Sequence, residues 1–320
     1  LVILSMNATQ KDLHTAYRRQ RQMSKGTAAD PAVVAMAPHC PGKVTFFAQD
    51  GHHPVIETHR AQGQRVVFID HGDIVCVEGA FMKRLPLARV PLTRKGQIGF
   101  QVENTMAAVA AAWALATPWE AIQKGLSSFI SDLHGVPGRF NVFDHAGATV
   151  IADYGHNPDA IAALVAGVEN MPARRRSVVI SGAGDRRDED IRGQTRILGA
   201  SFDDVILYQD ACQRGRADGE VLALLREGLQ GAARTTHVEE ITGEFIAIDR
   251  ALGQLQAGDL CLILIDQVEE ALAHIQRRVD EAANAQPKQE SPAAATSARQ
   301  PRRTPSSPAN GITTALSDDG

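Results

Sequence analysis

Cysteine is scarce in this 320-residue chain: Cys40, Cys76, Cys212 and Cys261 lie far apart and form no Cys-x-x-Cys pair. That excludes a disulfide-framed secreted scaffold and fits a reducing, cytoplasmic compartment. Lysine is also sparse, limited to Lys11, Lys25, Lys43, Lys83, Lys95, Lys124 and Lys288. None completes a GxxxxGK[ST] phosphate loop, because the one Gly-Lys pair, Gly42-Lys43, is followed by Val44 and lacks the upstream glycine. No apolar run approaches the roughly 20 residues of a membrane span. The opening Leu-Val-Ile-Leu is too short for a signal-peptide core, and a start on leucine makes an internal cut the expectation. An excess of one charge is missing as well. With 33 basic and 37 acidic residues the net charge is −4, so no whole-protein field favours nucleic acid or an anionic membrane.

The content that is present, 44% apolar and 22% charged, is that of a globular protein long enough for two domains or one large one. Residues 1–27 are polar and basic after the first four and are assigned to no domain. From 44 to 92, short β-rich runs separated by glycine-containing turns predict a small β-meander. The period then changes to an alanine-rich helix over 102–115, and Pro118 opens a second helix over 119–127. Between 138 and 279 strands alternate with helices. The strands are expected at 148–152, 177–180, 204–208 and 259–265, apolar on both faces as buried parallel strands are. Helices are expected near 158–170, 188–199, 218–229, 243–253 and 267–279. This rhythm predicts a doubly wound, Rossmann-like α/β domain with its ligands at the carboxyl ends of the strands. Beyond Ala282 the Ala/Pro/Ser/Thr/Gln composition predicts a disordered tail, 283–320.

The segments that can carry chemistry fall mostly at strand ends. Gly138-Arg139-Phe140-Asn141 precedes a hairpin that leads to Asp153-Tyr154-Gly155-His156-Asn157-Pro158-Asp159. Asp153 ends a strand, Asn157 can cap the next helix and Pro158 suits its first position. Free N–H groups beside an imidazole make a phosphate site there, with a plain cap and surface loop as the alternative. Ser181-Gly182-Ala183-Gly184 begins like a dinucleotide fingerprint, but Arg187 stands where the third glycine belongs, which argues against nicotinamide binding. With no lysine between Lys124 and Lys288, phosphate would be held by Arg139, Arg186, Arg187 or backbone donors. Asp210, Arg214 and Arg216 follow a third strand, a mixture suited to a zwitterionic amino acid or to a solvated loop. Asn104 sits near the opening of the alanine-rich helix, where it could read an adenine edge or satisfy the helix start. His52, His53, His59 and His71 lack metal-ligand spacing, and no metal site is expected. Trp113 and Trp119 are expected in the core.

Taken together, Gly99-Phe100-Gln101-Val102-Glu103-Asn104 with Ala107-Ala108, then Pro137-Gly138-Arg139-Phe140, then the segment from Asp153 to Asp159 resemble the ATP-dependent Mur ligase family in order and spacing. The resemblance covers about residues 28–280. It implies the end of a Mur central domain over 28–136 and a complete C-terminal domain over 137–282. Within that family, Gly138-Arg139-Phe140-Asn141-Val142-Phe143, Ala183-Gly184-Asp185-Arg186-Arg187-Asp188 and Ile265-Asp266-Gln267-Val268-Glu269-Glu270 are similar to the branch that joins arginine to the side chains of a poly-aspartate backbone.

By that resemblance Asn104 and Arg139 contact ATP, while Asp153 binds its ribose or orients the phosphate loop. His156 and Asn157 lie beside the transferring phosphate, and Asp210, Arg214 and Arg216 receive the incoming amino acid. The implied partners are ATP, arginine and an aspartate-backbone polymer, with no nucleic acid and no membrane; a homo-oligomer is left open. The P-loop and Mg²⁺ ligands are expected upstream of residue 28, so the isolated chain is expected to be inactive. The alternatives are a non-catalytic truncated remnant, or a piece of a peptidoglycan Mur ligase or folylpolyglutamate synthetase.

Overall fold

Alternation along the strands decides the layers of the larger sheet, since successive side chains point to opposite faces. Its strands are β6 (Asn141–His145), β7 (Ala148–Asp153), β8 (Arg176–Ile180), β9 (Asp204–Gln209), β10 (His237–Thr242) and β11 (Leu260–Leu264). In space they run β10-β9-β8-β11-β7-β6, all parallel except the antiparallel β6–β7 hairpin. Ile151, Val178, Val205 and Leu262 face one core, whereas Val150, Val179, Ile206 and Cys261 face the other. The first core is covered by α5 (Pro158–Glu169), α6 (Asp188–Gly199) and α7 (Glu220–Gly228). The second lies under α8 (Glu244–Gln254) and α9 (Val268–Ala285). Both faces are therefore helical, which is the doubly wound α/β arrangement expected from the sequence.

The computed structural model describes residues 2–3, 28–209 and 213–285. A smaller five-stranded sheet precedes the large one, in the order β1 (Val2–Ile3), β2 (Val44–Asp50), β3 (Val66–Asp70), β4 (Asp73–Glu78) and β5 (Phe81–Pro86). Here three expectations are corrected. The short helix α2 (Pro54–Ala61) follows α1 (Pro31–Val34) in the chain and crosses between β2 and β3, which are parallel, so the segment is not a meander. Its apolar stripe is short, with Ile56 as its one fully buried residue, so no helical period stood out. Val2–Ile3 pairs antiparallel with β2, giving the unassigned opening segment a strand. Finally, α9 continues to Ala285, past the expected tail boundary; residues 286–320, and with them the predicted disorder, lie outside the described residues.

The next two helices, α3 (Gly99–Ala114) and α4 (Trp119–Ser128), cover the small sheet and bury Val102, Met106 and Ile122, with Trp113 nearly buried as expected. The start of α3 also reaches the large sheet. Ile98 belongs to the core beneath α5, Phe100 meets Phe140 edge-on at 5.6 Å, and Asn170 at the end of α5 donates to the Gln97 carbonyl. Burial in the strands pushes the thiols of Cys76 and Cys261 up to about 12, so neither supplies a thiolate at neutral pH.

Leu262 lies in a central strand with helices on both faces, whereas Val142 is 36% exposed on edge strand β6. Leu262→Ala is expected to cost about 2–5 kcal/mol and Val142→Ala less than about 1 kcal/mol in urea unfolding. Equal costs would contradict this assignment of centre and edge.

Candidate active site

Asp153 ends β7 with its carboxylate buried, and Oδ2 accepts the Phe140 backbone N–H at 2.8 Å. That bond fastens the turn carrying Arg139 to the carboxyl end of the sheet. Tyr154 N–H donates to the Gly138 carbonyl at 2.9 Å, and Asn141 Oδ1 accepts the Gly138 N–H at 2.7 Å. Gly138 has φ +70°, and a Cβ there would lie 2.7 Å from Val268 Cγ1, so the turn depends on glycine. The result stacks three side chains: the Arg139 guanidinium lies 5.8 Å over the Tyr154 ring, whose centroid is 4.6 Å from that of His156.

His156 Nδ1 lies 3.0 Å from the Tyr154 carbonyl oxygen. A carbonyl only accepts, so Nδ1 carries the proton and Nε2 remains the ring's other polar atom. The buried Gln194 of α6 donates to the His156 carbonyl at 2.9 Å and fixes the backbone there. Asn157 caps α5 as expected: its φ is −137°, Oδ1 accepts the Ala160 N–H at 2.8 Å, and Pro158 follows. Its side-chain NH₂ is not needed for that bond. A helix start, an imidazole and a guanidinium thus occur together at one strand end, an arrangement suited to phosphate.

The ends of β8, β9 and β11 complete the rim. Gly184 brings the loop after β8 against the loop after β9 so closely that a Cβ would lie 2.1 Å from the Gln213 carbonyl oxygen. Arg216 braces this junction, donating to the carbonyls of Gly184 and Arg186 and to the carboxylates of Asp188 and Glu220. Arg214 Nη2 donates to Asp266 Oδ1 at 2.8 Å, and its Nη1 lies 3.7 Å from Asp185 Oδ1. Burial opposes the Arg214 charge, yet Asp266 and the Tyr154 hydroxyl hold its pKa above the ordinary guanidinium value. A small cleft of about 20 Å³ lies between these ends, lined by Tyr154, His156, Arg214 and Asp266.

Asp153, His156, Asn157, Arg139, Arg214 and Arg216 are all at this end of the sheet. Asn104 is exposed in the second turn of α3, where Nδ2 donates to Gln101 Oε1, so it does not cap the helix start. Arg187 precedes α6 and pairs with Asp190. Asp210 lies outside the described residues. Sequence reasoning gave no role to Asn141, Gln194, Glu244 or Asp266, although Asn141 and Asp266 stand inside motifs it singled out; the partners of Gln194, Glu244 and Asp266 are 22 or more positions away, whereas Asn141 bonds its own turn. Among the described residues no group of three or more His, Cys, Asp or Glu side chains could hold a metal ion. A larger cavity, about 630 Å³, opens at the amino ends of the strands beside Arg174, Ser177 and Asp259, away from every expected site residue.

Residues 138–264 match the family described as "Mur ligase, glutamate ligase domain". The chain is 33% identical over 252 residues to a cyanophycin synthetase of Crocosphaera subtropica and 31% identical to that of Synechocystis, in each case over 78% of this chain. It spans 29% of the length of those relatives. The solved structure of Escherichia coli FolC in complex with DHPP and ADP shares the fold with a TM-score of 0.51 at 21% identity, covering 76% of this chain and 54% of that one.

Burial raises the Asp153 carboxyl from 3.8 to about 6, against the lowering effects of the Phe140 N–H, the Arg139 charge and the Gly155 N–H. The folded state therefore holds a proton that the unfolded chain has released between these values. The stability this contributes is full below about pH 4 and is lost as the pH rises through about 6. Asp153→Asn, which keeps an acceptor for Phe140, is expected to gain about 1–3 kcal/mol relative to wild type between pH 4 and 7 in urea unfolding. A constant difference across that range would place the carboxyl at its ordinary value.

Proposed function

We propose that the chain, whose residues 138–264 match the Mur ligase glutamate ligase domain family, is part of an ATP-dependent acid–amino acid ligase of the cyanophycin synthetase type. In this reading it joins the arginine α-amine to aspartate side chains of a poly-aspartate backbone. Residues 28–136 are the end of the central domain and 137–282 the C-terminal domain, with the P-loop and Mg²⁺ ligands supplied by a preceding segment in the cytoplasm. The observation that carries the reading is the Asp153-held turn, which stacks Arg139, Tyr154 and His156 beside the start of α5.

The chemistry proceeds in two balanced steps. The aspartate β-carboxylate attacks the ATP γ-phosphorus, giving an acyl phosphate and ADP. The arginine α-amine then attacks the acyl carbon, phosphate leaves with the bonding pair, and the amine loses its proton as the isopeptide bond forms. Charge spreads over phosphoryl oxygens in the first step, so fixed donors do most of the work. Arg139 and Asn104 contact the nucleotide, and Asp153 keeps the Arg139 turn in place. His156, as imidazolium, donates from Nε2 to the transferring phosphoryl group, and Asn157 donates from its side-chain NH₂. Asp210 and Arg214 receive the amino acid, and Arg216 braces Arg214 against the loop after β8. A non-catalytic remnant is the second reading, supported by the absence of a GxxxxGK[ST] loop in these 320 residues.

The isolated chain is expected to bind ATP more weakly than about 10 μM, because backbone phosphate donors of a P-loop are missing from it. Arg139→Ala is expected to weaken that binding at least tenfold in isothermal titration. In the complete ligase, His156→Ala is expected to lower kcat about a hundredfold with little change in the ATP KM. ATP binding indifferent to Arg139, or a His156→Ala ligase with full kcat, would remove these residues from the site.

A further inference from the structure

We propose that Asp266 is the carboxylate that selects a guanidinium side chain on the incoming amino acid, and that Arg214 competes for it from within the protein. The inference rests on the ligase reading above and assigns its amino-acid specificity to a residue at the carboxyl end of β11.

The acceptor is rigidly held. Glu244, 2% exposed at the start of α8, accepts the backbone N–H groups of Asp266 and Gln267 at 2.8 and 3.1 Å. The Asp266 side chain is left 28% exposed, facing Arg214. Its partner is held differently. Arg214 has φ +48° and is followed by Gly215 at φ +94°, two successive left-handed residues on a loop rather than in a helix or strand. The turn itself is closed by the Arg216 N–H on the Gln213 carbonyl at 3.1 Å, so a fixed acceptor meets a long guanidinium side chain whose rotamers, not its backbone, allow it to exchange partners.

Arg214 spans Asp266 and Asp185, and so occupies the carboxylate that a ligand guanidinium would use. A ligand that takes this carboxylate displaces Arg214 from it. A ligand guanidinium restores the planar, charge-assisted pairing that Arg214 gave up. An ammonium supplies charge without the fork, and a neutral urea supplies the shape without the charge. Both leave the exchange less complete, and selectivity follows from what the site loses when Arg214 moves. The withdrawn Arg214 is then free to meet the ligand's α-carboxylate.

Agmatine, L-arginine, L-lysine and L-citrulline titrated into the 320-residue chain test the assignment. Agmatine has the guanidinium and no carboxylate, so it reports on the acceptor alone. Asp266→Asn is expected to weaken agmatine and arginine at least tenfold and to erase the preference for arginine over citrulline, with an unchanged thermal midpoint and unchanged ATP binding. Arg214→Ala is expected to tighten agmatine at least threefold. Arginine affinity and selectivity that survive Asp266→Asn, failure of agmatine to bind both wild type and Arg214→Ala, or loss of arginine only on Asp210→Asn would each overturn the proposal. ATP binding indifferent to Arg139, with arginine selection intact, would instead count against the ligase reading.

Discussion

One buried hydrogen bond, from the Phe140 N–H to the Asp153 carboxylate, decides where the proposed site can be. With the Tyr154 N–H bond to the Gly138 carbonyl and the β6–β7 pairing that starts at Asn141, it fixes the 138–140 turn on the end of β7, so that Arg139 and Tyr154 face each other. Burying a carboxylate is unfavourable unless donors approach it, and here backbone N–H groups and a nearby guanidinium do so. The same strand end leads directly into Gly155, His156 and the Asn157 cap. Strand, turn and helix start are consequently one unit, and a change at Asp153 is felt across all three.

Around that unit the domain works without lysine. From Lys124 to Lys288 every permanent side-chain cation is an arginine, and most of those at the site are tied to carboxylates or carbonyls. A guanidinium can bridge two loops because its donors point in several directions in one plane. Arg216 uses that geometry to join the loops after β8 and β9, where the missing side chain of Gly184 permits backbone contact. Arg214 has fewer partners, which separates a bracing arginine from one able to exchange its partner.

Much of this was legible before the structure. Helix 188–199 was read at its observed bounds, and the Asn157 cap with Pro158 and the end of β7 at Asp153 followed from local chemistry. Such features depend on residues a few positions apart. Strand β10 was missed because Glu239, Glu240 and the exposed Val238 of this edge strand lack a buried apolar run. The α2 crossover was missed because eight residues gave too short a helical stripe. Of the site, the Asp153–Tyr154–Gly155–His156–Asn157 sequence announced a strand end and a helix start. The pairing of Arg214 with Asp266, 52 positions away, and the anchoring of Asp266 by Glu244 depend on strand order, which no local spacing encodes.

The central claim is that the nucleotide is received at the carboxyl end of the large sheet, although a cavity of about 630 Å³ opens at its amino end. Amide hydrogen exchange of the chain with and without saturating ADP tests this directly. The account predicts added protection in 138–141 and 153–160, where the turn and the start of α5 meet. Protection confined to 174–177 and 236–237, beside that amino-end cavity, would contradict it.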